Sequence, residues 1–244
     1  MARVVVLIPA RFASSRFPGK PLALIAGKSM IQRVFNNCLA SGFPAYVVTD
    51  HDGIEQHVKD FGGKVIRIND DVPSGSERIA LAYDRYLKDD RPDLVINVQG
   101  DEPLLNGEIL RELAEFHLSS TFNITTLLRE RSAKEEDFKN PNVVKAVYSP
   151  VSKQCLYFSR QSLPFDRDGG RDFTWYQHIG VYSYRPQALS DFVKLPMARL
   201  EDLEKLEQLR ALENQLTLGA ILTNQKLIGV DVPDDIQRVE GALS

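Results

Sequence analysis

Short apolar runs and stretches of helical periodicity alternate along the first half of the chain. The apolar, largely β-branched run at 4–8 ends at Pro9 and predicts a buried strand, and the spacing of apolar residues over Met30–Leu39 predicts a helix. The same reasoning predicts further elements in alternating order, with strands at Ala45–Thr49, 64–68 and 93–98 and helices at 53–61, after Ser74 and at 108–118. Strands alternating with helices predict a parallel sheet with right-handed crossovers.

The second half of the chain has a different pattern, in which strand-like runs are joined by polar loops rich in proline and glycine. These predicted strands lie at 123–128, 143–148, 155–158 and 178–184. Leucines at helical spacing predict one helix from Leu200 to Leu212, and residues 229–231 are interpreted as the end of a strand before a last helix. We therefore expect additional strands and a smaller lobe built onto the parallel sheet.

Composition and charge restrict the class of protein. The chain is 43% hydrophobic and 26% charged, as in ordinary globular proteins, and its net charge of −3 argues against broad binding to nucleic acid or acidic lipid. Two cysteines, Cys38 and Cys155, are too few for a disulfide framework or a zinc ribbon. Neither a signal peptide nor an apolar run of about 18 residues is present in this sequence. A cytoplasmic enzyme or binding protein is expected.

The loop after the first strand concentrates positive charge. Arg11, Arg16 and Lys20 share it with Ser14 and Ser15. Three cations in one short loop repel one another unless an anion lies among them, so the loop predicts a site for a small polyanion such as a phosphate group. A Walker A loop is excluded because no glycine precedes the Gly-Lys-Ser triplet at the required spacing, and no GxGxxG motif is present.

Carboxylates at predicted strand ends suggest a metal site. Asp101 and Asp231 each follow a predicted strand, and Mg²⁺ commonly uses one or two carboxylates together with phosphate oxygens of the substrate. Either residue alone could simply cap a helix, whereas the pair beside a cationic loop favours a metal. The segment 50–52 also has the Asp-x-Asp pattern of a glycosyltransferase metal motif, or is a loop in which Asp52 caps the helix from Gly53.

A predicted helix N-terminus could receive a planar ligand. Ser74 and Glu77 have the spacing of a capping box, and Arg78 falls in the first turn of the same helix. Gly75 lies beside that N-terminus, where the lack of a side chain lets a ligand approach the backbone.

Three polar residues of the second half remain ambiguous from the pattern alone. In an ideal helix over 200–212, Glu207 lies in the apolar sector and Glu204 on the polar side, so Glu207 binds a ligand or forms a salt bridge at the edge of the core. His178 and Tyr182 lie on one face of their predicted strand and suit a polyhydroxylated ligand, or His178 is an interior histidine. Arg160, beside aromatic residues, binds a carboxylate or forms a surface pair.

The motifs taken together resemble one family along nearly the whole chain. The chain is similar to the 3-deoxy-manno-octulosonate cytidylyltransferases (CMP-Kdo synthetases) of Gram-negative bacteria. The matching segments are IPARFASSRFPGKPL, VTDHD, SGSER, INVQGDEPLL, NPNVVKAV, YFSR, HIGVYSYR, LEKLEQLR and GVDVPDD. Related sugar nucleotidyltransferases share the first and fourth segments in looser form, and the later set in this order is more specific.

This resemblance implies a fold, a reaction and an assembly. The fold is α/β, of the nucleotide-diphospho-sugar-transferase type, with a mostly parallel central sheet, helices on both faces and an added smaller β-containing lobe. The reaction joins CTP and an eight-carbon 3-deoxy sugar acid, giving the CMP-sugar and pyrophosphate for lipopolysaccharide biosynthesis, with Mg²⁺ as cofactor, in a cytoplasmic homodimer. One nucleotidyltransferase domain spans 1–244. Its nucleotide-binding portion is at about 1–120, its sugar-binding and dimerisation portion at about 121–228, and its metal-ligand segment and helix at 229–244.

The resemblance also assigns roles to individual residues. Catalysis falls to Arg11, Lys20, Asp101 and Asp231, of which Asp101 and Asp231 bind the metal. The nucleotide is held by Pro9, Ala10, Arg11, Arg16, Lys20, Ser74, Gly75, Arg78 and Asp101. The sugar acid is held by Gln99, Arg160, His178, Tyr182, Glu207 and Gln208. No general base is assigned.

Departures from the family pattern leave the identity of the sugar open. Ser76 stands where the family usually has threonine, the segment 68–73 differs, and the loop at 166–177 is shorter than in many members. The sugar acid is therefore Kdo or its 8-amino-3,8-dideoxy analogue. The alternatives are a metal-dependent glycosyltransferase, a related sugar nucleotidyltransferase with another substrate, and a non-catalytic nucleotide-binding module.

Overall fold

The computed structural model describes residues 2–13, 17–225 and 227–243. Contacts between residues divide the chain into two compact units, Met1–Ala114 with Lys226–Ser244, and Glu115–Gln225. The predicted single domain and its three portions stay predictions, and each unit is described by itself.

The first unit is built on parallel strands. The described elements, in chain order, are β1 (Val4–Ala10), β2 (Leu24–Ile25), β3 (Lys28–Ser29), α1 (Met30–Leu39), β4 (Ala45–Thr49), α2 (Asp52–Asp60), β5 (Val65–Arg67), α3 (Gly75–Ala82), β6 (Leu94–Val98), α4 (Gly107–Ser119) and α8 (Asp235–Leu243). Within this unit the order is β5-β4-β1-β6 with every pairing parallel, while β2 and β3 form a short antiparallel hairpin. The carboxyl ends of these strands therefore share one edge of the sheet.

Local sequence explains these elements. β1 is buried along its whole length, which is why its side chains do not alternate between apolar and polar. Ser29 caps α1 by accepting a hydrogen bond from the Gln32 N–H, and the chain turns away at Gly42, whose φ of 82° suits glycine. These strands and helices were predicted within a few residues, although β1 continues two residues further, through Pro9 to Ala10.

Two predictions for the first unit are wrong. Asp52 does not cap α2, because the ring nitrogen Nδ1 of His51 accepts the hydrogen bond from the Gly53 N–H. The strand expected to end at Asp231 is also missing from the described residues. Val230 makes one main-chain hydrogen bond, to the Asp101 carbonyl, and a single bond does not make a strand ladder.

The second unit is a mixed β structure with short helices. Its described elements are β7 (Ile124–Ser132), β8 (Lys145–Ser149), β9 (Gln154–Ser159), β10 (Thr174–Tyr184), α5 (Pro186–Phe192), α6 (Arg199–Glu204), α7 (Gln208–Glu213) and β11 (Leu218–Leu222). Within this unit the order is β10-β7-β11-β9-β8, and β8 also pairs with β10. The β7–β11 pair is parallel and the other pairs are antiparallel.

The single helix predicted over 200–212 is wrong. The chain forms two short helices, α6 and α7, because Lys205 adopts a left-handed conformation with φ of 51°. Leu203 is consequently 68% exposed instead of lying in the core. The helical projection used to orient Glu204 and Glu207 therefore does not apply.

Strand boundaries in the second unit also differ from the prediction. β10 begins at Thr174, so the last four residues of the predicted loop at 166–177 are strand, and β11 was not predicted. A bulge between Ile179 and Tyr182 inserts two residues opposite β7. Because two residues complete one side-chain period, His178 and Tyr182 still share a face, as expected.

Among the described residues, no helix has both the length and the apolar character needed to cross a membrane.

The buried ion pair between α6 and α7 gives a test of how the two helices are held. Arg210 donates two hydrogen bonds to the Glu201 carboxylate, at 2.8 and 2.5 Å, and both side chains are 8% exposed. Glu201→Gln removes the charge of the carboxylate that makes both hydrogen bonds to the buried guanidinium, and the Glu207 carboxylate, at 3.9 Å, is a weaker partner. We therefore expect urea denaturation to give a loss of about 3 kcal/mol in the free energy of unfolding. The control is Asp202→Asn on the exposed side of α6, with an expected change below about 0.5 kcal/mol. Equal effects of the two changes would contradict this role of the ion pair.

Candidate functional site

A cavity of about 350 Å³ lies in the first unit at the carboxyl ends of β1 and β6. It is lined by Pro9, Ala10, Arg11, Ala13, Lys20, Pro21, Gly75, Gln99, Gly100 and Asp101. Most residues predicted to hold a nucleotide are therefore brought together here, along with Gln99, which was predicted to hold the sugar. Ser74 and Arg78 lie outside the lining, and Arg16 is outside the described residues.

Two glycines let the walls of this cavity approach each other. A Cβ atom on Gly75 would lie 3.1 Å from Cγ of Pro9, and one on Gly100 would lie 3.1 Å from the Pro9 carbonyl oxygen. The end of β1, the start of α3 and the loop after β6 thus meet at distances that leave almost no room for side chains at these two positions.

The start of α3 is fixed by the predicted capping box. Ser74 Oγ accepts a hydrogen bond from the Glu77 N–H at 3.1 Å, and the Glu77 carboxylate accepts one from the Ser74 N–H at 3.1 Å. Arg11 donates from Nη1 to the Pro73 carbonyl at 2.9 Å. The guanidinium of the cationic loop is therefore attached to the segment that leads into α3.

Lys20 joins both ends of the chain at this site. Its ammonium donates hydrogen bonds to Oδ2 of Asp101 at 2.6 Å and to the Val230 carbonyl at 2.9 Å. The Val230 N–H in turn donates to the Asp101 carbonyl at 3.0 Å. Buried Val230 packs with Ile25 and Val239, so the C-terminal segment is held to the β2–β3 hairpin and to the site.

Acidic groups gather around that lysine. The pKa of Glu102 is raised from its usual value near 4.5 to about 8, first by burial and then by the negative charges of Asp101 and Asp231. Oε2 of Glu102 is buried and has no hydrogen-bond partner among the described residues. The predicted pair Asp101 and Asp231 is thus close enough for both residues to act on one buried carboxyl group. The only sequence signal for Glu102 was its position directly after Asp101, and it was not predicted.

The alternative metal motif at 50–52 is engaged in other contacts. Asp50 accepts a hydrogen bond from Nη2 of Arg78 at 2.6 Å, Asp52 pairs with Nη1 of Arg67 at 2.8 Å, and His51 caps α2. In the described ranges, no group of three or more His, Cys, Asp or Glu side chains is arranged to hold a metal ion. This geometry gives no support to the glycosyltransferase interpretation.

Arg78, predicted to meet the nucleotide, is 2% exposed. Besides its bond to Asp50, it donates from Nη1 to the Ile68 carbonyl at 2.6 Å. It therefore joins the ends of β4 and β5 to α3, and the contact with cytidine stays a prediction.

The other predicted sugar-binding residues lie in the second unit. The ring of His178 is 5.4 Å from that of Tyr182 between centroids, and its Nε2 is 3.2 Å from Oγ1 of Thr126. Burial lowers the pKa of His178 to about 3 and, together with nearby negative charge that includes Glu207, raises the pKa of Tyr182 well above its usual value. Both side chains are neutral near pH 7 and can donate and accept hydrogen bonds without adding charge.

Glu207 and Gln208 stand where α7 begins. Glu207 occupies the N-cap position, and Oε1 of its carboxylate is 3.9 Å from Nη2 of Arg210. Gln208 is 7% exposed, and its Nε2 has no hydrogen-bond partner among the described residues. A buried amide of this kind is costly unless something pairs with it, which makes Gln208 a candidate ligand-binding group.

The guanidinium of Arg160, which was predicted to hold the sugar acid, is bonded to the main chain. Its guanidinium donates to three main-chain carbonyls, those of Pro141 at 3.0 Å, Glu204 at 2.7 Å and Lys205 at 3.4 Å. Most N–H groups of the Arg160 guanidinium therefore donate to main-chain carbonyls of the second unit. Its contact with the sugar acid stays a prediction.

Comparison with known proteins finds relatives that are all named as cytidylyltransferases. The sequence model of a family described as cytidylyltransferase matches residues 5–223. A 3-deoxy-manno-octulosonate cytidylyltransferase of Thermodesulfovibrio yellowstonii is 41% identical, covering 98% of each chain. An 8-amino-3,8-dideoxy-manno-octulosonate cytidylyltransferase of Shewanella sediminis is 47% identical, covering 99% of this chain and 98% of the relative.

Among solved structures, a CMP:2-keto-3-deoxy-manno-octonic acid synthetase complexed with CTP is 33% identical, with a TM-score of 0.90. The match covers 99% of this chain and 98% of that protein. The predicted α/β fold class is confirmed by this similarity, and so is the resemblance drawn from the motifs.

Glu102 gives a pH-dependent test of the acidic cluster. The pKa of Glu102 is about 8 in the folded protein and near its ordinary value of 4.5 in the unfolded chain. The protonated carboxyl group therefore contributes its full stabilisation below about pH 4.5, and this stabilisation is lost as the pH rises through 8. Glutamine cannot ionise, so Glu102→Gln does not lose this stabilisation. We expect the free energy of unfolding of the variant to rise relative to that of the wild type between pH 5 and 8.5. One pKa unit corresponds to about 1.4 kcal/mol.

The measurement is urea denaturation at several pH values in the presence of a chelator. Glu112→Gln, on the exposed side of α4, is the matched control and should follow the wild type at every pH. If Glu102→Gln also follows the wild type, the carboxyl group is not buried beside Asp101 and Asp231.

Proposed function

The chain belongs to the cytidylyltransferase family, and we propose that it transfers the cytidylyl group of CTP to an eight-carbon 3-deoxy sugar acid with release of pyrophosphate. The observation that carries this proposal is the cavity in the first unit, where Arg11, Lys20 and Asp101 line one pocket. Cations and a carboxylate at the carboxyl ends of parallel strands are what a nucleoside triphosphate and its counter-ion require.

Arg11 and Lys20 would oppose the charge that develops during the reaction. The anomeric hydroxyl attacks the α-phosphorus and releases its proton to water, a P–O bond forms, and the bond from the α-phosphorus to the departing pyrophosphate breaks. Negative charge grows on the phosphate oxygens and on pyrophosphate. Fixed cations next to these oxygens stabilise the transition state more than the ground state.

The acidic residues at this edge suit Mg²⁺. Asp101, which lines the cavity, and Asp231, which lies outside its lining, would supply hard oxygen ligands. Both carry negative charge that raises the pKa of buried Glu102 further than burial alone, and a cation would offset that charge. When bound, Mg²⁺ would neutralise phosphate charge and could lower the pKa of a bound hydroxyl. Substrate oxygens would complete the set of ligands, since two carboxylates alone leave most positions open.

The sugar acid would be held by the polar residues of the second unit. His178 and Tyr182 are neutral hydrogen-bonding groups suited to hydroxyls, and Gln208 offers a buried amide. Glu207 adds a carboxylate, which would favour a cationic group on the sugar more than a hydroxyl. Relatives with both names are similar to this chain, so Kdo and its 8-amino analogue are the two candidates.

The proposal also includes the setting that the resemblance implies: a cytoplasmic homodimer that supplies activated sugar for lipopolysaccharide. Homodimer formation is tested by light scattering of the purified protein, for which the expected mass is twice 27.5 kDa.

Pyrophosphate release tests the proposed reaction. The purified protein is incubated with each of the four nucleoside triphosphates and with Kdo, its 8-amino analogue or no sugar. We expect pyrophosphate only with CTP, one of these sugar acids and Mg²⁺ present together, because the attacking hydroxyl, the triphosphate and the charge that stabilises it are all required. A protein that binds CTP but releases no pyrophosphate with either sugar acid would contradict the proposal.

A pair of aspartate variants controls for the rival metal motif. Asp101→Asn removes a carboxylate of the cavity and should lower turnover by roughly two or more orders of magnitude. Asp52→Asn alters a side chain that is 96% exposed and should leave turnover within about twofold. The reverse pattern would assign the metal to the segment 50–52.

A further inference from the structure

The break between α6 and α7 at Lys205 is held by specific contacts within the second unit. Lys205 has φ of 51°, a conformation that costs a residue other than glycine roughly 1 kcal/mol or more, so neighbouring contacts must hold it. The main-chain carbonyls at the end of α6 have no donors from within the helix. Arg160 supplies donors from its guanidinium, to the carbonyls of Glu204 and Lys205.

The carboxylate of Glu204 attaches the same break to the end of β9. Oε1 accepts a hydrogen bond from the Ser159 hydroxyl at 2.6 Å, and Oε2 accepts one from the Arg160 N–H at 2.9 Å. The Ser159 hydroxyl and the Arg160 N–H, at the end of β9, therefore both bond to one side chain of α6.

A buried lysine adds further hydrogen bonds to the group of contacts that Glu204 and Arg160 make around Lys205. Lys145 is fully buried, and its ammonium donates to the carbonyls of Asn140 at 2.6 Å and Arg160 at 3.0 Å. Arg160 also donates to the Pro141 carbonyl at 3.0 Å. The loop at 140–141, the end of β9 and the end of α6 are thus joined by side chains that bond to main-chain groups.

This network sets where the next two polar residues lie. Glu207 and Gln208 follow the break by two and three residues, and the first hydrogen bonds of α7 run from the Leu209 N–H to the Leu206 carbonyl and from the Arg210 N–H to the Glu207 carbonyl. A shift at Glu204 would therefore move the start of α7 with both side chains.

We propose that Glu204 is a positioning residue that fixes the break at Lys205 and thereby places Glu207 and Gln208 to hold the sugar acid. Glu204 does not itself touch the substrate in this account. The inference rests on the proposed function for the identity of the ligand, whereas the claim that Glu204 holds the segment stands on the contacts alone.

The test compares Glu204→Gln with Asp202→Asn, the same chemical change two residues earlier on α6. Asp202 is exposed, and its carboxylate pairs with the flexible ammonium of Lys205. In Glu204→Gln the negative charge is lost and an amide NH₂ replaces one acceptor oxygen, so only one of the two hydrogen bonds accepted from the Ser159 hydroxyl and the Arg160 N–H keeps its direction. Hydrogen exchange of peptides covering 205–210, without substrates, should become at least several-fold faster in Glu204→Gln and stay unchanged in Asp202→Asn.

Steady-state kinetics separates positioning from a merely structural role. Glu204→Gln should raise KM for the sugar acid roughly tenfold and leave KM for CTP within about twofold, while Asp202→Asn matches the wild type in both. If Glu204→Gln does not fold, Ser159→Ala removes one donor to the same carboxylate and should change exchange and KM in the same direction by a smaller factor.

Each outcome decides one claim. Unchanged exchange at 205–210 overturns the inference, and so does an equal rise in KM for both substrates, which would indicate general damage. If the wild type turns over no sugar acid, the proposed function fails, and the exchange comparison still decides whether Glu204 holds the segment.

Discussion

The ammonium of Lys20 lies between an Asp101 oxygen and the Val230 carbonyl, and it joins parts of the chain that are up to 210 residues apart. Burial, with the negative charges of Asp101 and Asp231, raises the pKa of Glu102, and the Lys20 ammonium acts in the opposite direction. The same contact fixes the C-terminal segment, because Val230 is bonded to Asp101 through its N–H as well. Positive charge therefore organises this unit before any substrate binds.

The polar side chains of the second unit differ in character from those of the first. Its candidate ligand-binding residues, His178 and Tyr182, are kept neutral by burial. Three of its cations, those of Lys145, Arg160 and Arg210, are bonded to main-chain carbonyls or to a buried carboxylate. Side chains of this kind suit a ligand rich in hydroxyl groups. The cationic cavity of the first unit suits phosphate. Each unit thus has polar groups suited to one of the two substrates proposed for this chain.

Much of the first unit could be predicted because its signals are local. The run that forms β1, the capping box at Ser74 and the periodicity of α1 each depend on residues a few positions apart. The cationic loop and Asp101 followed from the rule that parallel strands carry ligands at their carboxyl ends. Glu102 was missed because burial, which sets its pKa, is a property of the folded chain and not of the sequence around it.

The wrong predictions have tertiary causes. Leucine spacing over 200–212 indicated one helix, but the contacts of Glu204 and Arg160 hold Lys205 in a left-handed conformation and divide it. The segment ending at Asp231 was interpreted as the end of a strand, whereas it packs against the β2–β3 hairpin through Val230. His51 took the cap expected of Asp52, which pairs with Arg67 from the adjacent strand.

The central claim is that the anomeric oxygen of a sugar acid attacks the α-phosphorus of CTP, and an isotope label tests it most directly. The sugar acid carries ¹⁸O in its anomeric hydroxyl, and unreacted sugar is measured alongside to correct for exchange with water. We expect the label in the bridging oxygen of the CMP-sugar, detected by ³¹P NMR, and none in pyrophosphate. A CMP-sugar without the label, or no CMP-sugar at all, would contradict the account.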